Sequence, residues 1–211
     1  MLPLFFVLFG RKAPIFMNFK KKIMLMEDAE YKKIYAQTRN VHIQRRTDIN
    51  RACQNKILRS IQGTNVLDIA CGHGYLSRLL SERYKVSAVD LWIQPELIQE
   101  YPQINFQVAD LTRLPFASGT FDTVVCAHTL EHIPNIQAAV DELKRVARQR
   151  LIVIVPCQRP YEFTFDLHVH FFPYPWSLWP IMADSRAGEQ QCTLVDGDWF
   201  CVLDFSKRTE K

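Results

Sequence analysis

The chain has 211 residues, of which 48% are hydrophobic, and a formal net charge of +4. That length and apolar content suit a single folded domain with a full core and exclude an intrinsically disordered chain. The mild charge, with no basic stripe interleaved with aromatics, leaves no expectation of a nucleic-acid partner. Early basic residues (Arg11, Lys12, Lys20, Lys21, Lys22, Lys32, Lys33) read as a solvated face. Six cysteines (Cys53, Cys71, Cys126, Cys157, Cys192, Cys201) show no C-x-x-C spacing. This argues against a zinc ribbon or disulfide framework and for a reducing, cytoplasmic location.

Residues 1–9 are almost wholly apolar and are followed by Gly10-Arg11-Lys12. Such a run is too short to span a bilayer, which takes about 20 residues. Its charge follows the apolar stretch, unlike that of a signal peptide. Three readings stand: a true start at Met17, Met24 or Met26, which is favoured; weak contact with a membrane surface; or an extra element packed on the domain. Residues 1–26 are therefore set apart as an N-terminal extension, and the domain is assigned to 27–211.

From 27 to 62 the apolar spacing is helical (Tyr31, Ile34, Tyr35, Val41, Ile49, Ile57, Leu58, Ile61) with no proline, until Gly63-Thr64-Asn65 breaks it. Strands and helices then alternate, as an open parallel sheet requires. Strands are expected at 65–69, 85–89, 105–108, 123–127 and 151–155, with helices at 75–83, 95–100 and 136–148. Residues 157–180 break this rhythm with eight aromatics, Tyr161, Phe163, Phe165, Phe171, Phe172, Tyr174, Trp176 and Trp179. Alternation over 166–171 would put His168 and His170 on one strand face. A helix is expected at 175–183. Segments 191–195 and 199–205 flank Asp196-Gly197, a hairpin signal that sets Cys192 opposite Cys201. Two reduced thiols are the expected state of that pair.

The chemistry concentrates at strand ends, where ligands of open α/β sheets bind. Val66-Leu67-Asp68-Ile69-Ala70-Cys71-Gly72-His73-Gly74 is a strand, an acid and a two-glycine turn that opens a helix. Glycine lets a ligand approach the backbone, and helix N–H groups point outward. A carboxylate at Asp68 would repel a pyrophosphate but attract a sulfonium. A dinucleotide loop would need a third glycine where Ser77 stands. Asp90-Leu91 closes the second strand and Asp110-Leu111 the third, so one acid ends each βα unit. Next comes Phe121-Asp122-Thr123-Val124-Val125-Cys126-Ala127-His128-Thr129-Leu130-Glu131-His132-Ile133-Pro134.

These motifs, over about 66–156, resemble those of class I S-adenosylmethionine (SAM) dependent methyltransferases. The resemblance implies a Rossmann-like, doubly wound α/β fold whose seven-stranded sheet is mostly parallel and ends in a C-terminal antiparallel hairpin. It implies SAM as cofactor, held by Asp68, Ala70, Cys71, Gly72, Gly74, Asp90, Leu91, Asp110, Leu111 and His128. Asp90 would take the ribose hydroxyls and Asp110 the adenine amino group. Tyr35, Arg39 and Arg45, in helices that usually fold over the cofactor, are candidate partners for its carboxylate.

The expected activity is methyl transfer by in-line displacement to a small-molecule or lipid-like acceptor. Segment 157–186 would be the acceptor-site cap, and 161–179 its dry aromatic wall. His128, His168 and His170 are candidate general bases, since neutral imidazole works near pH 7. A SAM-binding partner subunit without catalysis and a dinucleotide-dependent oxidoreductase are the rival functions. His128-Thr-Leu-Glu131-His132 matches an H-x-x-E-H protease signature, but Pro134 leaves its helix too short. No metal is assigned: in metal-binding relatives this place reads Glu-x-x-Glu-His, and here His128 stands where the first Glu would.

Overall fold

The computed structural model describes residues 7, 10–23, 25–38, 47–162 and 166–206, with backbone alone at 12, 28 and 35–38. Three helices come first: α1 (Ala13–Ile23), α2 (Asp28–Thr38) and α3 (Arg51–Ser60). The long helical run expected over 27–62 is thus not continuous. Asn50 is extended and caps α3, its side-chain oxygen accepting from Cys53 N–H at 2.8 Å. Asparagine wins this place because its short amide satisfies an orphan N–H of the first turn.

The alternating part follows as β1 (Asn65–Ile69), α4 (Tyr75–Ser81), β2 (Lys85–Asp90), α5 (Pro95–Glu100), β3 (Asn105–Val108) and β4 (Phe121–Ala127). A 3₁₀ turn (Leu130–His132) leads to α6 (Ile136–Val146), β5 (Ala147–Pro156), α7 (Pro175–Met182), β6 (Glu189–Val195) and β7 (Asp198–Asp204). The seven strands form one sheet in the order β3-β2-β1-β4-β5-β7-β6. All pairs from β3 to β5 are parallel, and β7 runs antiparallel to both β5 and β6. This is the expected doubly wound sheet with its terminal hairpin. The order reverses between β1 and β4, which opens a crevice at their carboxyl ends.

Strand alternation sorts the core onto two faces. Leu67, Ile69, Val124 and Cys126 pack with Val140 and Leu143 of α6 and Leu178 of α7. Val66 and Val125 pack on the other face with Ile57 of α3 and Leu76 and Leu80 of α4. Helix α6 shows why it belongs there: Ile136, Ala139, Val140, Leu143 and Val146 recur on one side and are all buried.

A third, smaller cluster joins Ala13, Phe16, Phe19 and Ile23 of α1 to Tyr31 of α2 and to Leu167. Lys20 donates to the Tyr161 carbonyl and sits over the Tyr161 and Phe171 rings. The N-terminal helices are thereby fastened to the segment that follows β5.

Asp196 (φ 48°) and Gly197 (φ 89°) both adopt positive φ, as a two-residue hairpin turn requires. The structure corrects the expected state of Cys192 and Cys201. They are directly opposite, with Cα atoms 4.1 Å apart, and are joined as a disulfide. Register alone brings the two sulfurs together. Among the described residues no helix is long and apolar enough to cross a membrane.

Candidate functional site

The glycine loop after β1 is built by three positive-φ residues, Ala70 (55°), Gly72 (52°) and Gly74 (69°). Gly74 ends the loop as the N-cap of α4, and its N–H returns to the Cys71 carbonyl at 2.8 Å. A Cβ on Gly72 would meet nothing within 4 Å, so this edge of the loop faces open space. Cys71 is buried beneath it, its N–H bonded to the Val89 carbonyl of β2.

Asp90 at the tip of β2 takes the Gly72 N–H at 2.9 Å on one oxygen and the Trp92 N–H at 3.3 Å on the other. Burial raises its pKa against these bonds. Each oxygen of a carboxylate can accept a second bond, so Asp90 can hold the loop and still receive a pair of hydroxyls. Leu91 beside it is half-buried.

Asp68 is placed differently from the expected sulfonium partner. It points into the sheet–helix layer, only 3% exposed, and accepts from Ser77 Oγ at 2.5 Å. Burial pushes its pKa up to about 7. Its work is to seat the first turn of α4 under the loop. Ser77, which stands where a dinucleotide loop has its third glycine, is the donor of that bond.

Asp110 accepts from Thr112 N–H and Oγ1 and pairs with Lys32 of α2 at 2.6 Å. Burial would raise its pKa, but the Lys32 and Thr112 bonds outweigh it and hold it below the usual carboxylate range. Leu111 is buried in the core. A helix of the N-terminal part thus reaches the tip of β3. Arg39, Arg45 and the Tyr35 side chain lie outside the described residues.

Asp122, the acid of the fourth-strand motif, sits at the opposite end of the sheet. It accepts the Thr64 and Asn65 N–H groups and pairs with Arg148. Its role is to lock the start of β1.

At the tip of β4, His128 takes positive φ (50°) and faces two acids, Glu131 Oε1 at 3.6 Å and Asp198 Oδ2 at 3.3 Å. Burial alone would lower its pKa; the two carboxylates override this and push it up to about 10. The two acids thus favour the imidazolium over the neutral base that the sequence suggested. Asp198 escaped the sequence reading because it arrives from β7, where it also accepts from Asn50 Nδ2 at 2.8 Å.

The 3₁₀ turn is a junction. Tyr31 Oη–H donates to the His132 carbonyl at 2.7 Å. Val169 and His170 N–H groups donate to the Glu131 carbonyl at 2.8 and 3.0 Å. The strand expected at 166–171 does not form: Leu167 has positive φ (60°), and the segment spends its N–H groups on the turn instead of a ladder. His168 is buried, with Nδ1 bonded to Gln158 Oε1 at 2.7 Å. Burial, then the neighbouring His132, lowers its pKa to about 4, too weak for a base near pH 7. His170 Nε2 donates to the Ile133 carbonyl at 2.9 Å. Glu131, His132 and His168 bring one ligand-type atom each within 4.8 Å of the others.

The expected aromatic wall has several fates. Tyr161 and Phe171 meet edge to face at 4.9 Å. Phe172 enters the core, and Tyr174 stacks on Trp176 at the surface. Phe163 and Phe165 lie outside the described residues.

A seven-stranded sheet of this order, with an acid at the tip of β2 gripping a glycine loop, is a doubly wound α/β domain whose loop edge opens on the crevice. Residues 67–155 match the family model described as a methyltransferase domain. The curated relatives include a 2-methyl-6-phytyl-1,4-hydroquinone methyltransferase of Synechocystis, 31% identical over 44% of this chain and 31% of that protein. A demethylmenaquinone methyltransferase of Beutenbergia cavernae is 32% identical over 54% of this chain and 50% of that protein. The chain spans half or less of the length of these relatives. Among solved structures, a SAM-dependent methyltransferase from Aquifex aeolicus shares the fold, with TM-score 0.54 at 18% identity, covering 84% of this chain and 99% of that one. Over residues 67–155 the chain is thus similar to a methyltransferase domain, set in a sheet that shares the fold of a SAM-dependent methyltransferase.

Proposed function

We propose that this chain transfers a methyl group from SAM to a small-molecule acceptor by in-line displacement, the acceptor being an apolar ring compound. The observation that carries the reading is Asp90, which fixes the Gly72 N–H while keeping acceptor capacity at the mouth of the crevice. The residues suit the cofactor. Gly72 offers an open backbone edge, Asp90 suits vicinal hydroxyls, and Asp110 suits an amino donor. Bound SAM would supply a methyl group on a sulfonium sulfur, a carbon already activated for displacement.

The chain's own task is to orient the acceptor and exclude water. Residues 157–186 would form the cap, with Tyr161 and Phe171 as part of its wall. Relatives named for a phytyl hydroquinone and for demethylmenaquinone support a ring acceptor with an apolar tail.

Calorimetric titration with SAM, S-adenosylhomocysteine and NAD tests the cofactor, followed by turnover of labelled SAM against a metabolite extract. Binding of S-adenosylhomocysteine without binding of NAD, together with label transfer, is expected. NAD binding in its place would refute the reading. S-adenosylhomocysteine binding with no transfer to any acceptor would make the chain a partner subunit.

A further inference from the structure

The 3₁₀ turn Leu130–His132 and the segment carrying His168 come from distant parts of the chain and are clamped together by the two bonds to the Glu131 carbonyl. Their side chains converge. Glu131 is fully buried, and neither of its carboxylate oxygens has a hydrogen-bond partner among the described residues. His132 Nδ1 is likewise buried and without one. Such groups are expensive to bury without hydrogen bonds. His128 Nδ1 lies 3.6 Å from Glu131 Oε1, too far to give either oxygen a hydrogen bond. Two oxygens face His168 Nδ1, Gln158 Oε1 at 2.7 Å and Asp166 Oδ2 at 3.4 Å. Nδ1 therefore carries the proton, and Nε2 keeps its lone pair. An imidazole oriented through its other nitrogen is the usual support of a metal-bound histidine.

We propose that Glu131, His132 and His168 bind one divalent first-row transition ion, Zn²⁺ or a similar cation. Two imidazoles and one carboxylate suit such ions and leave coordination positions open. The turn follows the carboxyl end of β4, on the crevice side of the sheet. An acceptor hydroxyl that took an open position would become more acidic and more nucleophilic. That use of the ion rests on the methyl-transfer reading; the site itself does not.

The full chain, stripped with a chelator, is dialysed against Zn²⁺ and separately against Co²⁺. Bound metal is measured by mass spectrometry, and the Co²⁺ form also by visible absorption. One ion per chain is expected. Glu131→Gln and His168→Gln should each lower affinity at least tenfold. Gln158→Leu, outside the ligand set, should weaken binding by about 10- to 100-fold through the lost orientation of His168. His170→Gln, on the same segment but bonded to the Ile133 carbonyl, should keep wild-type affinity. Absence of a stoichiometric ion overturns the proposal. So does wild-type affinity in both ligand variants, or an equal loss in His170→Gln. Titration of the same preparations with S-adenosylhomocysteine separates the two readings. Nucleoside binding without metal sinks only the ion, and metal binding without nucleoside sinks only the cofactor assignment.

Discussion

Asp90 is the most informative residue to remove. In the structure it accepts two backbone N–H groups, Gly72 at 2.9 Å and Trp92 at 3.3 Å, and it is assigned two ribose hydroxyls besides. A hydrogen bond to a charged group contributes roughly 1.5–3 kcal/mol. Losing two from the ligand, one of them partly replaced by water, gives about 3 kcal/mol, or roughly 100-fold in Kd at ~1.4 kcal/mol per tenfold. The fold should suffer less. The backbone N–H groups of Gly72 and Trp92 are solvent-exposed, so water replaces much of each charge-assisted bond and leaves a cost of about 1 kcal/mol each, part of which returns because burial already disfavours the charged form. Asp90→Ala should therefore weaken S-adenosylhomocysteine binding about 100-fold by calorimetry, while the urea midpoint moves little. Asp90→Asn keeps one carbonyl oxygen for the Gly72 N–H but loses the charge, and should fall between the two. If Asp90→Ala folds and binds as tightly as the parent chain, the ribose assignment is wrong. If Asn is as damaging as Ala, charge matters more than the posture of the loop.

Three further outcomes follow from other parts of the molecule. Asp68, with a folded pKa of about 7 against the ordinary aspartate value of 3.8, binds more protons folded than unfolded between those limits. Its contribution to stability therefore falls as pH rises through that window, by about 2 kcal/mol from pH 5.5 to 8; Asp68→Asn should remove that slope from paired urea melts, and an unchanged slope would contradict it. Asn50→Ala removes the cap of α3 and the bonds to Asp198 and the β6–β7 turn; a loss of about 1–2 kcal/mol is expected, and a neutral result would mean the hairpin is held elsewhere. Unfolding without reductant should expose the four cysteines outside the disulfide, Cys53, Cys71, Cys126 and Cys157, to a thiol reagent. Reduction should then lower Tm by about 4–8 °C, from roughly 2 kcal/mol of lost loop constraint; a full count of six reactive thiols before reduction would show that the bond is absent.

The sheet was legible because its signals are local. Each βα unit carries its own hydrophobic run, breaker and helix start, and the acid at each tip lies beside the strand it ends. The hairpin was legible for the same reason, since Asp196-Gly197 admits positive φ at both turn positions. The oxidation state of Cys192 and Cys201 was not, because spacing sets register but not chemistry. The helical run over 27–62 was over-extended, because apolar spacing alone does not show that Asn50 turns out of the helix to cap the next one.

The site divides along the same line. Ala70, Gly72, Gly74 and Asp90 form a unit within one βαβ step, so their reading needed only the order of strands. The residues around the 3₁₀ turn do not. His128 looks like a neutral base in the sequence, and its pKa is pushed up only because β7 delivers Asp198 from 70 positions away and Glu131 returns beneath it. Asp68 shows the same logic in reverse. Its charge, read alone, points to a sulfonium, whereas strand alternation turns it toward Ser77 and away from the crevice. A strand-tip acid can reach a ligand only when its side chain leaves the sheet, as Asp90 does by bonding the Gly72 N–H of the neighbouring loop. By that criterion the end of the crevice proposed for the cofactor is set by local sequence. The end proposed for the acceptor depends on which distant segments dock on Glu131 and His132, so under that proposal it is there that chains sharing this sheet would diverge in the molecule they modify.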